Sequence, residues 1–372
     1  MTIGILGGGQ LGRMLALAAY PLGMNCRLLD PAPDAPAGRV AECFPGAYDD
    51  LAALDRYFRD AEVVTFESEN VPIAAVRSLA RSVAVHPRPE ALEATQDRLA
   101  EKNLCQRLGI PTAAFTAVDS AEQLNSAIRR IGAPCVLKTR RLGYDGKGQF
   151  VLRGAEDAEA AWRRLGGTPL ILEEFIDWDR EMSLIAARDH DGAIHFYPLV
   201  ENRHVAGVLR LTVAPAPGLT ADLQKQAEMH TTRVLEALQY VGVITLEFFQ
   251  CGSTLLVNEM APRVHNSGHW TIEGAETSQF ENHLRAVVGL PLGSTAPRGH
   301  SAMVNLIGRL PPRADVLAVP GAALHLYGKA PRPGRKLGHV TLCHADPGVL
   351  QTRLDALYSR LAEPVPGGAG QE

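Results

Sequence analysis

Residues 243–269 have the sequence VITLEFFQCGSTLLVNEMAPRVHNSGH. Two apolar runs flank turn-forming residues at 251–253, a pattern that predicts a β-hairpin. The turn would bring Glu247 on the first strand close to Glu259 at the end of the second. Two carboxylates on adjacent strands, with the amide of Asn258 beside them, supply the hard oxygen ligands that Mg²⁺ shares with phosphates. Two solvent-exposed strand residues are the alternative, since strand alternation can turn either carboxylate outward.

The segment after the hairpin places Arg263, His265 and Asn266 close together in sequence. These side chains can bind a small oxyanion and a leaving phosphate. His265 and His269 are four residues apart, a spacing that zinc ligands take on a helix. The proline and glycine around them favour a loop, so we do not expect a zinc site.

A glycine-rich segment, GYDGKG at 143–148, lies between two apolar runs that predict strands. Because it joins two strands, it differs from a Walker A loop, which joins a strand to a helix. Its backbone N–H groups can fold over a triphosphate, and Lys138 just upstream can neutralise phosphate charge. A solvated turn rich in arginine and lysine is the alternative.

The N-terminal 95 residues alternate apolar runs with helical patterns, which predicts an α/β domain with an open parallel sheet. The first turn, GGGQLG at 7–12, has the glycine spacing of a dinucleotide fingerprint, and Asp30 ends the next strand. Nicotinamide binding and purely structural glycines are both open interpretations. We favour a third, in which the helix N-terminus holds a substrate phosphate.

Composition limits the class of protein. The 372 residues are 46% hydrophobic and 21% charged, and the formal charge is 37 − 41 = −4. This balance is typical of a globular chain of two or three domains and argues against a nucleic-acid binder. The basic segment 329–339 is therefore interpreted as a phosphate-monoester pocket. Six scattered cysteines and the lack of a signal-peptide or membrane-span pattern predict a cytoplasmic protein with no membrane partner.

Taken together, these motifs resemble the ATP-grasp superfamily and, within it, the N5-carboxyaminoimidazole ribonucleotide synthetases. The matching segments follow one another along nearly the whole chain: GGGQLGRM at 7–14, FESENV at 66–71, KTRRLGYDGKGQ at 138–149, NEMAPRVHNSGH at 258–269, and residues 327–339.

The resemblance implies an α/β fold in three parts: a Rossmann-like N-terminal domain at 1–95, a small ATP-grasp lid domain at 96–180, and a large ATP-grasp domain at 181–372 with a small β-rich C-terminal segment that binds substrate. It also implies a ligase. ATP and bicarbonate would give carboxyphosphate, which carboxylates aminoimidazole ribonucleotide in purine biosynthesis. Mg²⁺ or Mn²⁺ is the implied metal, and a homodimer the implied assembly.

The resemblance also assigns residues. The implied nucleotide contacts are Arg98, Lys138, Gly143, Tyr144, Asp145, Gly146, Lys147, Gly148, Gln149, Glu173, Glu174, Phe175, Ile176, Glu181, His204, Asn258 and Glu259. The implied ribonucleotide contacts are Gln10, Leu11, Tyr144, Asp145, Lys329 and Arg335. The implied metal ligands are Glu247 and Glu259, and the implied catalytic residues are Glu69, Arg263, His265 and Asn266. Glu67 lies in the same short motif as Glu69 and is an alternative to it.

Three competing interpretations remain at this point. Another ATP-grasp ligase is disfavoured by the basic segment near the C-terminus. A nicotinamide-dependent oxidoreductase leaves the second glycine loop and the Glu247–Glu259 pair unexplained. A non-catalytic protein with the same fold would not need the charged groups that the chemistry requires.

Overall fold

The structure is a computed structural model that describes residues 1–143 and 146–367. Tyr144 and Asp145, each predicted to contact both nucleotide and substrate, lie outside the described residues. None of the helices in the described ranges is long and apolar enough to cross a bilayer.

The N-terminal part forms the predicted parallel sheet, with strand order β3-β2-β1-β4-β5. Its strands are β1 Thr2–Leu6, β2 Asn25–Asp30, β3 Glu42–Pro45, β4 Val63–Phe66 and β5 Ala84–Val85. Its helices are α1 Gln10–Ala19, α2 Leu51–Phe58, α3 Ile73–Leu79 and α4 Pro89–Thr95. Strand β3 was not predicted, because this edge strand has only four residues and none of them is fully buried.

The middle part is a four-stranded antiparallel sheet of order β6-β9-β7-β8. Its elements, preceded by helix α5, are α5 Arg98–Arg107, β6 Phe115–Val118, α6 Ala121–Ile131, β7 Cys135–Thr139, β8 Gln149–Leu152, α7 Ala158–Leu165 and β9 Leu170–Glu174. Helices α6 and α7 bury their apolar faces against the sheet. The predicted glycine-rich loop joins β7 to β8, as expected.

The third part has a nine-stranded antiparallel sheet of order β15-β14-β10-β12-β13-β16-β18-β17, with β11 paired to β10. Its strands are β10 Arg180–Arg188, β11 Ile194–Phe196, β12 Val200–Val205, β13 Val208–Ala214, β14 Gly242–Cys251, β15 Thr254–Ala261, β16 His300–Ile307, β17 Ala323–Leu326 and β18 Lys336–His344. Its helices are α8 Ala221–Ala237, α9 Thr271–Gly274, α10 Gln279–Val288, α11 Arg313–Leu317 and α12 Pro347–Leu361.

The C-terminal segment is β-rich, as predicted, and it also contains helices. Its strands are not a separate sheet, because β16 pairs with β13 and so extends the large sheet. The 15-residue helix α12, which was not predicted, packs Leu354 and Leu357 against this extension. The basic segment between β17 and β18 is thereby attached to the same rigid sheet that carries β14 and β15.

The N-terminal and large parts share one core. Leu15 of α1 lies in the same buried cluster as Trp270 and Phe280. A hydrogen bond of 2.8 Å also joins Thr65 of β4 to His283 of α10. Burial of this apolar surface fixes the first parallel sheet against the large sheet, so that side chains distant in sequence meet at one cleft.

Candidate active site

The β14–β15 hairpin sets two carboxylates side by side. Glu247 and Glu259 are direct cross-strand partners, as the sequence predicted. The register then skips Asn258, so a β-bulge places two residues opposite one. The Oδ1 atom of Asn258 is buried and has no hydrogen-bond partner among the described residues. The two carboxylates therefore lie side by side on the hairpin, and Asn258 directly precedes the second of them.

Glu247 is held as an anion by the groups around it. Burial alone would raise its pKa, but His265, His204 and Lys336 outweigh burial and lower it to about 2. His265 Nε2 lies 3.1 Å from a Glu247 oxygen. Burial also opposes protonation of His204, but its 2.5 Å contact with Glu181 raises the pKa of the imidazole. Glu181 and His204, both predicted nucleotide contacts, are thus paired next to the carboxylates.

Glu259 pairs with Arg98, whose Nη1 lies 2.8 Å away. Arg98 begins α5, and burial of this guanidinium would lower its pKa were it not for Glu259, Glu101 and Glu173, which raise it. The predicted contacts Arg98 and Glu259 therefore meet directly, and Arg98 is charged whenever the chain is folded.

Helix α5 also contributes two residues that the sequence analysis missed. Glu101 and Lys102 are 2% and 1% exposed, which is unusual for charged side chains. Burial and the nearby Glu259 raise the pKa of Glu101 to about 8. Together with Arg98 they occupy positions i, i+3 and i+4, so that one helix face presents all three.

Glu173 and Lys138 form a buried ion pair of 2.8 Å, and Lys102 lies 3.8 Å from the same carboxylate. Burial alone would raise the pKa of Glu173, but the two lysines lower it to about 2. Burial lowers the pKa of Lys138 in spite of Glu173. The Glu173 side chain is therefore an ion-pair partner of two lysines of the protein.

The next predicted nucleotide contacts, Glu174, Phe175 and Ile176, are more exposed than Glu173. Glu174 accepts a hydrogen bond from Ala114 N at 3.2 Å, and its own N–H donates to Ala114 O at 2.8 Å. Phe175 is 38% exposed, and Ile176 is half-buried. An aromatic face is thus available beside the end of β9.

The glycine-rich loop between β7 and β8 lies close to Arg98 and to the turn between β12 and β13. Gly146 and Gly148 both have φ of +72°, a conformation that favours glycine. At Gly146 a side chain would meet the turn at Ala206 and Gly207, which shows how closely the loop approaches the β12–β13 hairpin. The predicted contacts Gly143 and Lys147 are on the same loop, with Gly143 close to the Arg98 guanidinium, and Gln149 begins β8.

Arg263 and Glu69 form an ion pair between the large and N-terminal parts. Burial alone would raise the pKa of Glu69, but Arg263 lowers it to about 2. Arg263 Nη1 also donates to Val264 O at 3.0 Å. His265, the next predicted catalytic residue, has its Nδ1 at 2.9 Å from Ser267 Oγ while its Nε2 faces Glu247.

The Asn266 amide makes more hydrogen bonds within the protein than its predicted catalytic role suggests. Its amide forms a reciprocal pair with Asn305, with the two N···O distances at 3.0 and 2.8 Å. Its Nδ2 also lies 3.0 Å from His269 Nδ1. Burial and the nearby His265 hold the pKa of His269 well below its usual value, so this imidazole is neutral and can accept that hydrogen bond. The structure therefore places Asn266 at the cleft with its amide orientation fixed.

The first glycine turn binds protein carboxylates. Glu67 accepts hydrogen bonds from Gly9 N and from Gly12 N, the latter at 2.5 Å, and Asp30 accepts from Gly8 N at 2.7 Å. These carboxyl groups occupy the N–H groups that a dinucleotide pyrophosphate would need, so the nicotinamide interpretation is wrong. Glu67 thus contacts the glycine turn, whereas Glu69 pairs with Arg263.

Two N–H groups of the first turn of α1, those of Gln10 and Leu11, have no acceptor among the described residues. The Leu11 side chain is buried in the core, so only its backbone can contact a ligand. Gln10 accepts a hydrogen bond from Lys329 Nζ. Burial lowers the pKa of Lys329, which Glu67 opposes and Arg335 reinforces. The four predicted substrate contacts that the structure describes therefore gather at one end of the cleft, although Arg335 also donates to Ala330 O on its own loop.

No cluster of three or more histidine, cysteine, aspartate or glutamate side chains that could hold a metal occurs within residues 1–143 and 146–367. A pair of carboxylates fits a divalent cation that takes its remaining ligands from phosphates and water. The unpartnered oxygen of Asn258 next to that pair is consistent with the same kind of ligand.

Three family models match the chain in succession. They are the ribonucleotide synthetase preATP-grasp domain at residues 1–96, the ATP-grasp domain at 103–280, and the phosphoribosylaminoimidazole carboxylase C-terminal domain at 301–353. The first match covers the N-terminal part, the second spans the middle part and most of the large part, and the third covers the C-terminal extension of the large sheet.

Whole-chain relatives give the same result. The N5-carboxyaminoimidazole ribonucleotide synthase of Pseudomonas aeruginosa is 54% identical over 95% of this chain and 98% of its own length. The crystal structure of the synthetase from Thermus thermophilus is 58% identical, with a TM-score of 0.94 over 97% of this chain and 99% of that one. The synthase of Aspergillus clavatus, in complex with ADP and 5-aminoimidazole ribonucleotide, is 30% identical with a TM-score of 0.90 over 97% and 98%.

These matches extend over the parallel sheet, the glycine-rich loop, the carboxylate hairpin and the C-terminal extension alike. The chain therefore belongs to the N5-carboxyaminoimidazole ribonucleotide synthase family of ATP-grasp ligases.

Proposed function

We propose that this protein uses ATP and bicarbonate to carboxylate the exocyclic amine of 5-aminoimidazole ribonucleotide, and that it releases ADP and phosphate. One observation supports the proposal most directly. Arg263 and His265 lie on one loop, where Arg263 pairs with Glu69 and His265 contacts Glu247. This loop lies between the nucleotide end and the glycine-turn end of the cleft. The Aspergillus clavatus relative, which holds ADP and the ribonucleotide together, supports the same pair of ligands.

ATP would bind between the middle and large parts. Phe175 and Ile176 would contact the adenine, and the Glu181–His204 pair would contact the ribose and nearby atoms. Arg98, Lys138 and the 143–149 loop would surround the phosphates, because they supply cations and backbone N–H donors on one side of the site. Water excluded by the loop could not hydrolyse a reactive acyl phosphate.

Glu247 and Glu259, with Asn258 beside them, would hold Mg²⁺, or Mn²⁺ in its place. When bound, this cation would neutralise charge on the transferring phosphate. The low pKa of Glu247 keeps that carboxylate ionised at any physiological pH. His265, on the other side of Glu247, fixes the orientation of the carboxylate.

The chemistry then needs two displacements. A bicarbonate oxygen attacks the γ-phosphorus of ATP, ADP leaves, and carboxyphosphate is formed. The ribonucleotide amine attacks the carbonyl carbon, the carbon–oxygen bond to phosphate breaks, and the amine loses a proton. Arg263, which donates hydrogen bonds in a buried setting, would stabilise the developing negative charge. Asn266, whose two amide hydrogens go to Asn305 and His269, would hold this loop in place beside Arg263.

The ribonucleotide would lie at the glycine-turn end of the cleft. Its phosphate would accept hydrogen bonds from the N–H groups of Gln10 and Leu11 and face Lys329 and Arg335. Tyr144 and Asp145 of the loop are proposed contacts on the sequence resemblance alone.

The division into domains at 95/96 and 180/181, a homodimeric assembly and a cytoplasmic location belong to the same proposal. The three separate sheets support the division. The free state of all six cysteines is typical of a reducing compartment.

The proposal is tested by measuring ADP release with Mg-ATP and bicarbonate, with and without 5-aminoimidazole ribonucleotide. We expect strong stimulation by the ribonucleotide and its loss in Glu259→Gln. A folded wild-type protein that binds ATP but shows no stimulation would disprove the substrate and leave only an ATP-grasp ligase of different specificity. A panel of other amine substrates would then identify the acceptor.

A further inference from the structure

Helix α5 supplies more than the Arg98 contact to the site. Strand β15, which carries Asn258 and Glu259, is the edge strand of the large sheet. An edge strand has backbone groups that no neighbouring strand can satisfy, and its position is correspondingly less constrained. The feature that holds this strand in place therefore also determines where the proposed metal ligands lie.

Two adjacent side chains of α5 bind the backbone on either side of these ligands. Lys102 Nζ donates to Val257 O at 3.1 Å, one residue before Asn258. Glu101 Oε1 accepts from Met260 N at 2.5 Å, one residue after Glu259. Both side chains are almost completely buried, so water cannot substitute for either hydrogen bond at little cost.

The β-bulge explains why such a clamp is useful. At Asn258 the ladder between β14 and β15 is interrupted, and a bulge leaves its extra residue without a partner on the neighbouring strand. The 257–260 segment is tied on the outer side by Lys102, Glu101 and the Val257 N–H···O=C Pro111 bond of 2.8 Å. These contacts on the edge side fix the direction of the two ligand side chains.

We infer that Glu101 and Lys102 are positioning residues that clamp the 257–260 backbone so that Asn258 and Glu259 can bind a divalent cation. The inference rests on the proposed metal role of those residues. Lys102 also lies 3.8 Å from Glu173, at the end of the strand that leads to the proposed adenine contacts. The clamp thus connects the metal end of the nucleotide site to its base end through a single helix face.

The test uses variants that separate the hydrogen bond from the volume of the side chain. Glu101→Leu removes the acceptor while keeping a side chain of similar size, and Glu101→Gln keeps an acceptor oxygen in a side chain of the same length. Lys102→Met removes the donor to Val257. Gln106→Ala, an exposed change on the same helix, is the matched control. Thermal melts verify that each variant is folded.

Two measurements do not depend on turnover. Hydrogen–deuterium exchange of ligand-free protein, followed on peptides that contain Met260, reports the Glu101 bond directly. Titration of Mn²⁺ in the presence of a non-hydrolysable ATP analogue, followed by electron paramagnetic resonance, reports the metal site. In Glu101→Leu we expect exchange at Met260 to be faster and Mn²⁺ affinity to be roughly 10-fold lower, the usual effect of removing an outer-shell partner. Lys102→Met should lower Mn²⁺ affinity, while Glu101→Gln and Gln106→Ala should match the wild type.

Wild-type Mn²⁺ affinity and exchange in folded Glu101→Leu and Lys102→Met would overturn the inference. An equal loss in Glu101→Gln and Glu101→Leu would also overturn it, because a retained acceptor oxygen would then not preserve the metal site. Both measurements can be made on a protein that fails to carboxylate the ribonucleotide, so failure of the proposed reaction is distinguishable from failure of this inference.

Discussion

Arg263 donates from Nε to the carboxylate of Glu69, across 194 positions of the sequence. The pair joins a loop of the large sheet to the end of a strand in the N-terminal sheet. Each side chain is largely buried, and each is the principal charge partner of the other. The proposed carboxylation site is therefore complete only when the two parts of the fold are in contact.

Glu69→Gln should leave Arg263 buried without its counter-charge, a change that is usually strongly destabilising. We expect a lower melting temperature and loss of most of the ribonucleotide-stimulated ADP release, whereas binding of ADP should persist. Calorimetric titration with ADP, alongside melts and the ADP-release assay, would check this. A variant that keeps full stimulation would remove Glu69 from the site. Ser68→Ala in the same turn is a suitable control.

Acid stability should depend on Glu173. Its pKa is lowered from 4.5 to about 2 by Lys102 and Lys138 in the folded chain. A carboxyl with a lowered folded-state pKa contributes stability that is present above pH 4.5 and is lost as the pH falls towards 2. Glu173→Gln should cost about 3 kcal/mol at pH 7, because two buried lysines lose their partner, and should weaken the pH dependence in that window.

Urea unfolding of wild type and Glu173→Gln at intervals between pH 7 and pH 3 would measure both effects. If the two proteins lost stability in parallel down to pH 3, the ion pair would not be a source of the acid sensitivity. Glu174→Gln, one residue further along and exposed, controls for the loss of a negative charge at this strand end.

The predictable part of this fold came from local patterns. The hairpin turn at 251–253 sufficed to place Glu247 opposite Glu259, since cross-strand register follows from the turn. Helix α12 could have been predicted too, because Leu350, Leu354, Leu357 and Leu361 recur at helical spacing. The proline- and glycine-rich character of the preceding segment obscured this pattern.

Other features depend on contacts that no local pattern contains. Arg98, Glu101 and Lys102 form a charged helix face, which by itself indicates exposure to solvent. This face is buried only because it packs against the edge strand β15. Likewise, Asn266 can pair with Asn305 only because β16 joins the large sheet. Which of Glu67 and Glu69 contacts the glycine turn also depends on the folded chain.

His283 should make the stability pH-dependent in a different window. It accepts from Val243 N at 3.1 Å through Nδ1, so Nε2 carries the proton that is donated to Thr65. Burial, with a smaller effect of His86, lowers its pKa from 6.5 to about 3. The unfolded chain binds a proton below pH 6.5 that the folded chain does not, so stability falls as the pH drops from 6.5 towards 3, by at most about 1.4 kcal/mol per pH unit for this group.

His283→Gln should therefore show a shallower loss of stability between pH 6.5 and pH 5 than the wild type, although its stability at pH 7.5 is reduced by imperfect replacement of the two hydrogen bonds. Denaturant titrations at these pH values would measure the slope. An unchanged slope would mean that this histidine is already protonated in the folded chain. His190→Gln, at an exposed histidine on the other side of His86, provides the comparison.

A substitution of Lys329 should affect ribonucleotide binding at one end of the cleft without affecting ATP binding at the other. Its ammonium group binds Gln10 and lies near Glu67 and Arg335, whereas the proposed phosphate contacts of ATP are on α5, β7 and the 143–149 loop. Lys329→Met should raise the ribonucleotide concentration that half-saturates ADP release by about 10-fold or more, the loss expected for a charge-assisted hydrogen bond to phosphate. The half-saturating ATP concentration should stay near the wild-type value. Arg332→Met, an exposed basic residue of the same loop, should change neither constant. Equal effects of the two substitutions would point to a diffuse electrostatic attraction, and an effect of Lys329→Met on ATP alone would move this lysine to the nucleotide end of the site.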